Sequence, residues 1–491
     1  MKFCSTRDPA AAQRSAAEVI KQGLADDGGL FVPVTLPQLT GSDIQLLRSM
    51  DYATRAATVL GRFLTDYTAE ELLADCQTAY AEASFPGGAA PLRDCGDGLF
   101  TLELWHGPTA AFKDMALQIM PRLLSRALTK TGESRTALIL VATSGDTGKA
   151  ALEGYRDIPG IKIMVFYPEN GVSAVQKRQM QTQTGDNVNV VAIRGNFDDA
   201  QTGVKRIFTD PDVVAELDRK GYLLSSANSI NWGRLAPQIV YYVSAYCDLL
   251  NAGKIKPGER INVTVPTGNF GNILAAYLAK HMGLPIGRLI CASNQNNILT
   301  DFLRTGVYDR NRPFYLTMSP SMDILISSNL ERLLYFTAGP VRTAEYMRQL
   351  NETGAYTVSD DVLTAVKADF CAYFADEATT AETIRLAWMQ NYLIDPHTAV
   401  AYSAALQYRK ETHDRAPMVI DSTASPFKFA VDVYASLYGE RPSDPLTAPK
   451  ELSDKTGQPV PYPLVNIDER TVRFTDVCDK RDMWSAVQKF L

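Results

Sequence analysis

One lysine of this chain lies in surroundings that could turn its amine into a nucleophile. Lys113 follows a Gly-Pro turn at residues 107–108 and Phe112, and it precedes the apolar residues 115–117. Apolar neighbours remove water from an ammonium group, which lowers its pKa and favours the neutral, reactive amine. A lysine at the start of a helix is more often a solvated surface charge, so Lys113 indicates amine chemistry only together with other motifs.

A glycine-containing loop at residues 266–272 could hold a phosphate group. It reads Pro-Thr-Gly-Asn-Phe-Gly-Asn and connects a predicted strand to a predicted helix. Glycines let the backbone approach an anion closely, and amides at a helix N-terminus point towards it. The loop matches neither a Walker motif nor the dinucleotide fingerprint G-x-G-x-x-G. A tight turn without a ligand is the alternative interpretation.

Three further polar segments could bind ligand groups. Residues 143–148 (TSGDTG) offer hydroxyls and amides that could hold a carboxylate, although a capping turn explains them equally well. Residues 226–234 end in Arg234, whose planar guanidinium could bind a second anion. Thr423 follows the last predicted strand and could offer its hydroxyl to a ligand nitrogen, or the segment could only cap the helix that begins at Pro426.

Short apolar segments alternate with helical segments, which predicts an α/β fold. Strands are predicted at 136–142, 161–166, 188–193, 260–265, 288–292 and 418–420, with helices at about 149–155, 198–208, 272–282 and 426–438. Strands that are apolar on both faces indicate a mostly parallel sheet covered by helices. Ligands bind such sheets at the carboxyl ends of the strands, which is where the polar turns at 143–148, 267–272 and 422–425 would lie.

The chain is too long for one hydrophobic core, so we expect several structural regions. They are a mainly helical N-terminal domain (1–90), a catalytic region (91–439) and a C-terminal extension (440–491). Within the catalytic region we expect a smaller α/β subdomain at about 136–245 and a helical insertion at about 321–390.

The composition argues against several classes of protein. The 491 residues carry a net charge of −6, whereas nucleic-acid-binding proteins usually have a basic face. The seven cysteines and four histidines lack metal-ligand spacing, and unpaired cysteines favour a reducing compartment. The N-terminus lacks a secretory signal, and the longest apolar runs are too short to cross a bilayer. We therefore expect a cytoplasmic protein with no metal and no nucleic-acid or membrane partner.

In their order along the chain, these motifs resemble those of the threonine synthases, which are fold-type-II (tryptophan-synthase-like) pyridoxal-phosphate (PLP) enzymes. The matching segments are Ser5-Thr-Arg7, Asp27-Gly-Gly-Leu30, HGPTAAFKDMALQ (106–118), TSGDTG (143–148), NSINWGR (228–234), TGNFGN (267–272), SSNLERLL (327–334), DPHTAV (395–400) and STASPFKF (422–429). HGPTAAFKD and NSINWGR are the most specific. The resemblance implies a tryptophan synthase beta-like fold: mostly parallel sheets flanked by helices, with an N-terminal domain and a helical insertion.

The resemblance also implies how PLP would be bound. Lys113 would carry the cofactor as a Schiff base and then move protons. Thr423 would lie near the pyridine nitrogen, and Asp146 near the cofactor ring. The cofactor's phosphate would be held by Gly268, Asn269, Phe270, Gly271 and Asn272.

A second set of residues would bind the substrate, which the resemblance gives as O-phospho-L-homoserine. Ser144 and Thr147 would lie at its carboxylate, and its phosphate would be received by Asn228, Ser229 and Arg234, with help from Thr147. The implied reaction is that of a carbon–oxygen lyase acting on phosphates: γ-elimination of phosphate followed by β-addition of water yields L-threonine. The implied working form is a monomer or a homodimer.

Two alternatives remain open from the residues alone. One is another fold-type-II PLP lyase, such as a threonine dehydratase or a relative of cysteine synthase, which would not need a second anion site. The other is a catalytically silent protein of the same fold that binds an anion or a partner.

The sequence departs from the pattern of the resemblance at two positions. Wider members of the fold type have Asn in place of Asp146, and a carboxylate near the cofactor's phenolate oxygen would need a proton or a nearby cation. Some family members have His in place of Ser425, so any function of that histidine is left unfilled.

Overall fold

Helices and strands alternate along most of the chain in the computed structural model, which describes residues 1–8, 10 and 12–491. The strands are β1 (Phe3–Ser5), β2 (Phe31–Pro33), β3 (Leu92–Asp94), β4 (Leu99–Glu103), β5 (Thr136–Ala142), β6 (Ile161–Pro168), β7 (Val188–Arg194), β8 (Tyr222–Ser225), β9 (Ile261–Pro266), β10 (Ile286–Ser293), β11 (Val307–Asp309), β12 (Ala355–Thr357), β13 (Phe370–Phe374), β14 (Met418–Ser422) and β15 (Val477–Asp479).

The α-helices are α1 (Ala16–Gln22), α2 (Gly41–Arg48), α3 (Tyr52–Gly61), α4 (Ala69–Ala79), α5 (Asp114–Leu117), α6 (Met120–Lys130), α7 (Asp146–Tyr155), α8 (Ala174–Gln181), α9 (Phe197–Thr209), α10 (Pro211–Arg219), α11 (Trp232–Asn251), α12 (Gly271–His281), α13 (Ile298–Thr305), α14 (Leu330–Ala338), α15 (Pro340–Thr353), α16 (Asp360–Asp369), α17 (Glu377–Met389), α18 (Pro396–Thr412), α19 (Ala430–Tyr438), α20 (Ala448–Thr456) and α21 (Met483–Phe490). Short 3-10 helices cover Pro320–Met322, Pro426–Phe429 and Tyr462–Leu464.

Two mostly parallel sheets form the framework of the described chain. One has six strands in the order β13-β10-β9-β14-β4-β3, in which only the pairing of β3 with β4 is antiparallel. The other has five parallel strands in the order β15-β7-β6-β5-β8. Central strands such as β9 and β14 are buried along their whole length, as expected for a parallel sheet that is covered on both faces. The predicted α/β fold with mostly parallel sheets is confirmed.

Most of the predicted elements occur where the sequence indicated them, with differences at their ends. β5 spans the predicted residues, and α9 and α12 differ from their predictions by one residue at each end. The helix predicted at 426–438 was wrong in part, because a 3-10 helix precedes α19 there. Five strands of the two sheets were not predicted from the sequence: β3, β4, β8, β13 and β15. Since β13 pairs with β10, the mainly helical segment 321–390 contributes an edge strand to the six-stranded sheet.

The C-terminal segment joins the smaller sheet. β15 pairs with β7, and α21 packs on α9 with Met483 and Val487 buried. Among the described residues, no helix combines the length and apolar character needed to cross a membrane.

Candidate active site

Lys113 lies beyond the carboxyl end of β4, beside the residues that follow β14. The Phe112 N–H donates to the Thr423 carbonyl at 2.8 Å, and the Ser425 N–H donates to the Ala110 carbonyl at 3.1 Å. β4 and β14 are parallel neighbours, so their carboxyl ends meet at the same edge of the sheet. Lys113 and Thr423, which are far apart in the sequence, are therefore brought together where such sheets bind ligands.

The amine of Lys113 is buried among polar groups. Its Nζ lies 3.0 Å from Asp146 Oδ2 and 3.2 Å from Ser321 Oγ, and it stands 4.7 Å from the centre of the Phe112 ring. Burial lowers the pKa of this amine from its usual value against the opposing attraction of Asp146, and other nearby cations also lower it. A lowered pKa favours the neutral form of the amine, which is the form that a nucleophile or base requires.

Two lysines bind Asp146. They are the nearby cations that a carboxylate at this position was expected to need. Its Oδ2 is bound by Lys113 and accepts from Ser321 Oγ at 2.9 Å, while its Oδ1 lies 3.0 Å from Lys428 Nζ and accepts from Gln176 Nε2 at 2.8 Å. Burial alone would raise the pKa of Asp146, but the two ammonium groups hold it well below its usual range. The carboxylate is therefore ionised and supplied with cations.

The turn that carries Asp146 is fixed by its own residues. Gly145 adopts φ 134°, and a Cβ there would lie 2.5 Å from the Gln176 side chain, so the turn requires glycine. The hydroxyl of Thr143 accepts from the Gly145 and Gly148 amides at 3.0 and 2.9 Å. Ser144 is half-buried on this turn.

The glycine loop after β9 forms a backbone cradle at the start of α12. Phe270 has φ 62°, and none of the described side chains caps this helix, so the amides of its first turn face the loop unshared. A Cβ at Gly268 would lie 2.8 Å from the Ser321 carbonyl oxygen. Asn329 holds the Asn269 carbonyl through its N–H (3.0 Å) and its Nδ2 (3.1 Å). This geometry suits a phosphate group.

The side chain of Asn272 faces the core rather than the loop. Its Oδ1 accepts from Tyr241 and, at 2.6 Å, from Tyr242. Asn272 is therefore available to a ligand through its backbone amide, as is Gly271.

Arg234 is a buried cation close to Lys113. Its Nη1 donates to the Ala227 carbonyl at 3.0 Å, and its Nη2 lies 3.3 Å from Thr147 Oγ1. No carboxylate of the described residues forms an ion pair with it. Burial lowers its pKa to about 10, so the group is still charged at neutral pH. A buried cation without an anionic partner would be stabilised by an anionic ligand.

Residues 327–332 (the SSNLER segment) hold the loop that precedes Arg234 in place. Arg332 is buried, donates to the Ile230 carbonyl at 2.6 Å and binds Asn329 Oδ1. The same loop carries Asn228, which is half-buried, and Ser229, whose hydroxyl lies near the SSNLER serines. Through Arg332, one segment positions both this loop and the glycine loop.

Family models cover nearly the whole chain. Residues 2–80 match a model described as threonine synthase N terminus, residues 87–423 match pyridoxal-phosphate dependent enzyme, and residues 398–491 match threonine synthase, C-terminal.

Individual relatives agree with these models. A threonine synthase from Pseudomonas aeruginosa is 40% identical over 91% of this chain and 92% of its own length. The chain belongs to the threonine synthase family of PLP-dependent enzymes. Similar solved structures include a PLP-bound threonine synthase from Brucella melitensis (37% identical, TM-score 0.88, covering 100% of this chain and 99% of its own) and a yeast threonine synthase (32%, 0.89, covering 100% and 98%).

Other relatives are longer proteins. "Threonine synthase-like 1" from Homo sapiens is 43% identical over 86% of this chain, and the chain spans 58% of the length of that relative.

The cleft fits the cofactor of the threonine synthase family. A buried amine (Lys113), a glycine-lined backbone cradle (residues 267–272) and the buried Thr423 come together at the carboxyl edge of one sheet. PLP requires these three things: an amine for its aldehyde, donors for its phosphate and a partner for its ring nitrogen.

Four residues of the site were missed at the level of the sequence. Lys428, Ser321 and Gln176 bind Asp146, and the ring of His397 accepts the Ser321 N–H at 3.1 Å. Lys428 and His397 lie inside the matching segments STASPFKF and DPHTAV, which was a usable signal. The sequence gave no such signal for Ser321 and Gln176, because neither residue lies in a matching segment.

Proposed function

We propose that this protein converts O-phospho-L-homoserine and water into L-threonine and inorganic phosphate. The observation that carries the proposal is a candidate second anion site: Arg234 is buried, pairs with no carboxylate among the described residues and stands beside Thr147. It is close enough to Lys113 to lower the pKa of that amine. One end of a small substrate bound at Lys113 would thus place a phosphate on Arg234.

Lys113 is the group that moves protons in this proposal. PLP, when bound, delocalises the electrons left on the substrate after a proton is lost. The Lys113 Nζ takes the proton from the substrate's Cα and passes it on before it takes one from Cβ, and the loss of the second is coupled to departure of phosphate from Cγ. Protons are then returned to Cγ, which becomes the methyl group, and to Cα. Water adds its hydroxyl at Cβ, and its remaining proton goes to the departed phosphate. Burial lowers the pKa of this amine from its usual value, which favours its use as a base as well as an acid in these steps.

The remaining residues orient the substrate and balance charge. Arg234 and Thr147 stabilise the negative charge that grows on the departing phosphate. Ser144 stands on the turn where the substrate carboxylate would bind, and Asn228 and Ser229 flank the phosphate. Thr423, a neutral hydroxyl, leaves the cofactor's ring nitrogen largely unprotonated, which moderates electron withdrawal and limits side reactions.

Relatives named threonine synthase, which match along about nine tenths of both chains, support this function over other PLP lyases. A dehydratase acting on L-threonine would have no need of a cation at Arg234. The cytoplasmic location and the monomeric or homodimeric form expected from the sequence belong to the same proposal.

Phosphate release and product analysis test the proposal. The purified protein loaded with PLP should absorb in the visible range, and O-phospho-L-homoserine should yield equal amounts of phosphate and L-threonine. A Lys113→Ala variant should lose both the absorbance and the activity. Release of ammonia and 2-oxobutanoate from L-threonine, without turnover of O-phospho-L-homoserine, would show the dehydratase instead. Absorbance without any turnover would show a silent protein.

A further inference from the structure

A second lysine shares Asp146 with Lys113, and the proposed function gives it no part. Lys428 lies in the 3-10 helix Pro426–Phe429, and its side chain has no exposed surface. Its Nζ lies 3.0 Å from Asp146 Oδ1 and donates to the Thr109 carbonyl at 2.8 Å. Within the described chain, Asp146 is the one carboxylate in ion-pair distance of Lys428.

The two lysines differ in what happens to their charge. Lys113 must bond to the cofactor and gain and lose protons, so its attraction for Asp146 varies during a reaction. Lys428 stands on the opposite oxygen of the carboxylate and takes no part in those steps. Without Lys428, Asp146 would be left as an unpaired buried anion whenever Lys113 is neutral, and an uncompensated buried charge is strongly unfavourable.

We propose that Lys428 is a positioning residue, the permanent counter-cation that keeps Asp146 ionised and in place while the amine of Lys113 changes its charge. The proposal rests on the proposed function only in taking Lys113 as the amine that binds PLP. It does not depend on which substrate the enzyme uses.

The proposal predicts how each charge acts on Lys113. The charged groups that face this amine are Asp146 on α7, Lys428 after β14 and Arg234 on α11, while Ser321 contributes a hydroxyl. Removing Lys428 takes a positive charge from the vicinity, so Lys113 should hold its proton to higher pH. Replacing Asp146 by Asn should have the opposite effect.

Three variants test this with PLP alone: Lys428→Met, Asp146→Asn and the double variant. The readouts are the dissociation constant of PLP and the pH at which apo-protein begins to bind it rapidly. Once Lys113 is bonded to PLP, each single variant leaves one buried charge unpaired, so each should weaken PLP binding by roughly 10-fold or more. The double variant has neither charge and should bind PLP more tightly than either single variant. The pH midpoint should rise in Lys428→Met and fall in Asp146→Asn, and Lys428→Arg should stay close to the wild type.

The decisive outcome is rescue. A double variant that binds PLP better than either single variant supports the proposal, as does a double variant that folds when Lys428→Met does not. A double variant as impaired as the two single losses combined, or an unshifted midpoint in Lys428→Met, overturns it. Because no readout uses O-phospho-L-homoserine, failure of the proposed reaction would leave these results unchanged, and PLP binding by the wild type is checked separately.

Discussion

At the scale of single residues, the site consists of buried charged side chains. Some of them pair with one another, and one is open to a ligand. Lys113, Asp146 and Lys428 are matched within the protein, whereas Arg234 is left unpaired. The sequence identified Lys113 and Arg234 because they lie in specific motifs. It could not show that Lys428 pairs with Asp146, since that contact depends on how two distant loops meet.

The unpaired cation gives the first prediction. Arg234→Ala should lower kcat/KM for O-phospho-L-homoserine by roughly 30- to 150-fold, because hydrogen bonds to a charged group contribute about 2–3 kcal/mol. The dissociation constant of PLP should change far less, since the cofactor's phosphate is held by the glycine loop. Steady-state kinetics and a PLP titration measure the two effects. Equal losses in both would contradict this division of labour.

A buried acid behind the glycine loop gives a prediction of pH dependence. Asp421 is fully buried, accepts a hydrogen bond from Tyr242 at 2.6 Å, and burial raises its pKa to about 7. The raised pKa means that the folded state prefers the protonated acid. Its contribution to stability is complete below the ordinary pKa and is lost as pH rises through about 7, up to roughly 4 kcal/mol in all.

The matched variant for this prediction is Asp421→Asn, which resembles the protonated acid and does not titrate. The urea midpoint of wild-type apo-protein should fall between about pH 4 and 7 more steeply than that of the variant. Identical slopes would show that Asp421 does not titrate in this range.

At the scale of elements, the polar turns beyond parallel strands determine the site. The sequence predicted the turns after β5, β9 and β14 because glycine, serine and threonine cluster where apolar runs end. It did not predict β4 and β13. Neighbours in a parallel sheet pair over long sequence distances, so local patterns do not reveal which strand lies beside which.

The SSNLER segment at the start of α14 should be indispensable to this arrangement. Arg332 is fully buried, and it donates to the carbonyls of Phe31 (3.0 Å) and Ile230 (2.6 Å) while binding Asn329. Arg332→Leu would remove a buried donor from the Phe31 and Ile230 carbonyls and free the glycine loop. We expect a loss of about 3 kcal/mol or more in stability together with weaker PLP binding.

The control for this variant is Arg348→Leu on α15, an exposed arginine whose ion pairs should contribute less than about 1 kcal/mol. Thermal unfolding of the apo-proteins and PLP titration compare the two. If Arg332→Leu unfolded at the same temperature as Arg348→Leu, the bracing function assigned to Arg332 would be wrong.

At the scale of the whole molecule, the cleft lies where the carboxyl ends of two sheets face each other. Lys113, Thr423 and the glycine loop come from the six-stranded sheet, while Asp146 and the loop before Arg234 follow strands of the five-stranded sheet. The N-terminal segment is tied to the same region, because Arg7 and Thr6 both bind Glu331 next to Arg332. Resemblance of scattered motifs predicted this assembly, whereas composition and periodicity predicted only the class of fold.

The C-terminal segment forms one edge of the smaller sheet. A final prediction uses this segment to distinguish an effect on stability from an effect on catalysis. Met483 is fully buried, and its sulfur packs directly against Gly203 of α9. A Cβ added at Gly203 would overlap that sulfur. Met483→Asp would bury an unpaired carboxylate and should cost about 3 kcal/mol or more, whereas Met483→Leu should cost less than about 1.5 kcal/mol. Thermal unfolding gives the stabilities.

At a temperature where both variants are folded, their kcat should equal that of the wild type, because α21 packs on α9, β7 and β15 rather than on the loops of the cleft. A fall in kcat of the folded Asp variant would instead show that the edge of the smaller sheet is coupled to Asp146 and its turn.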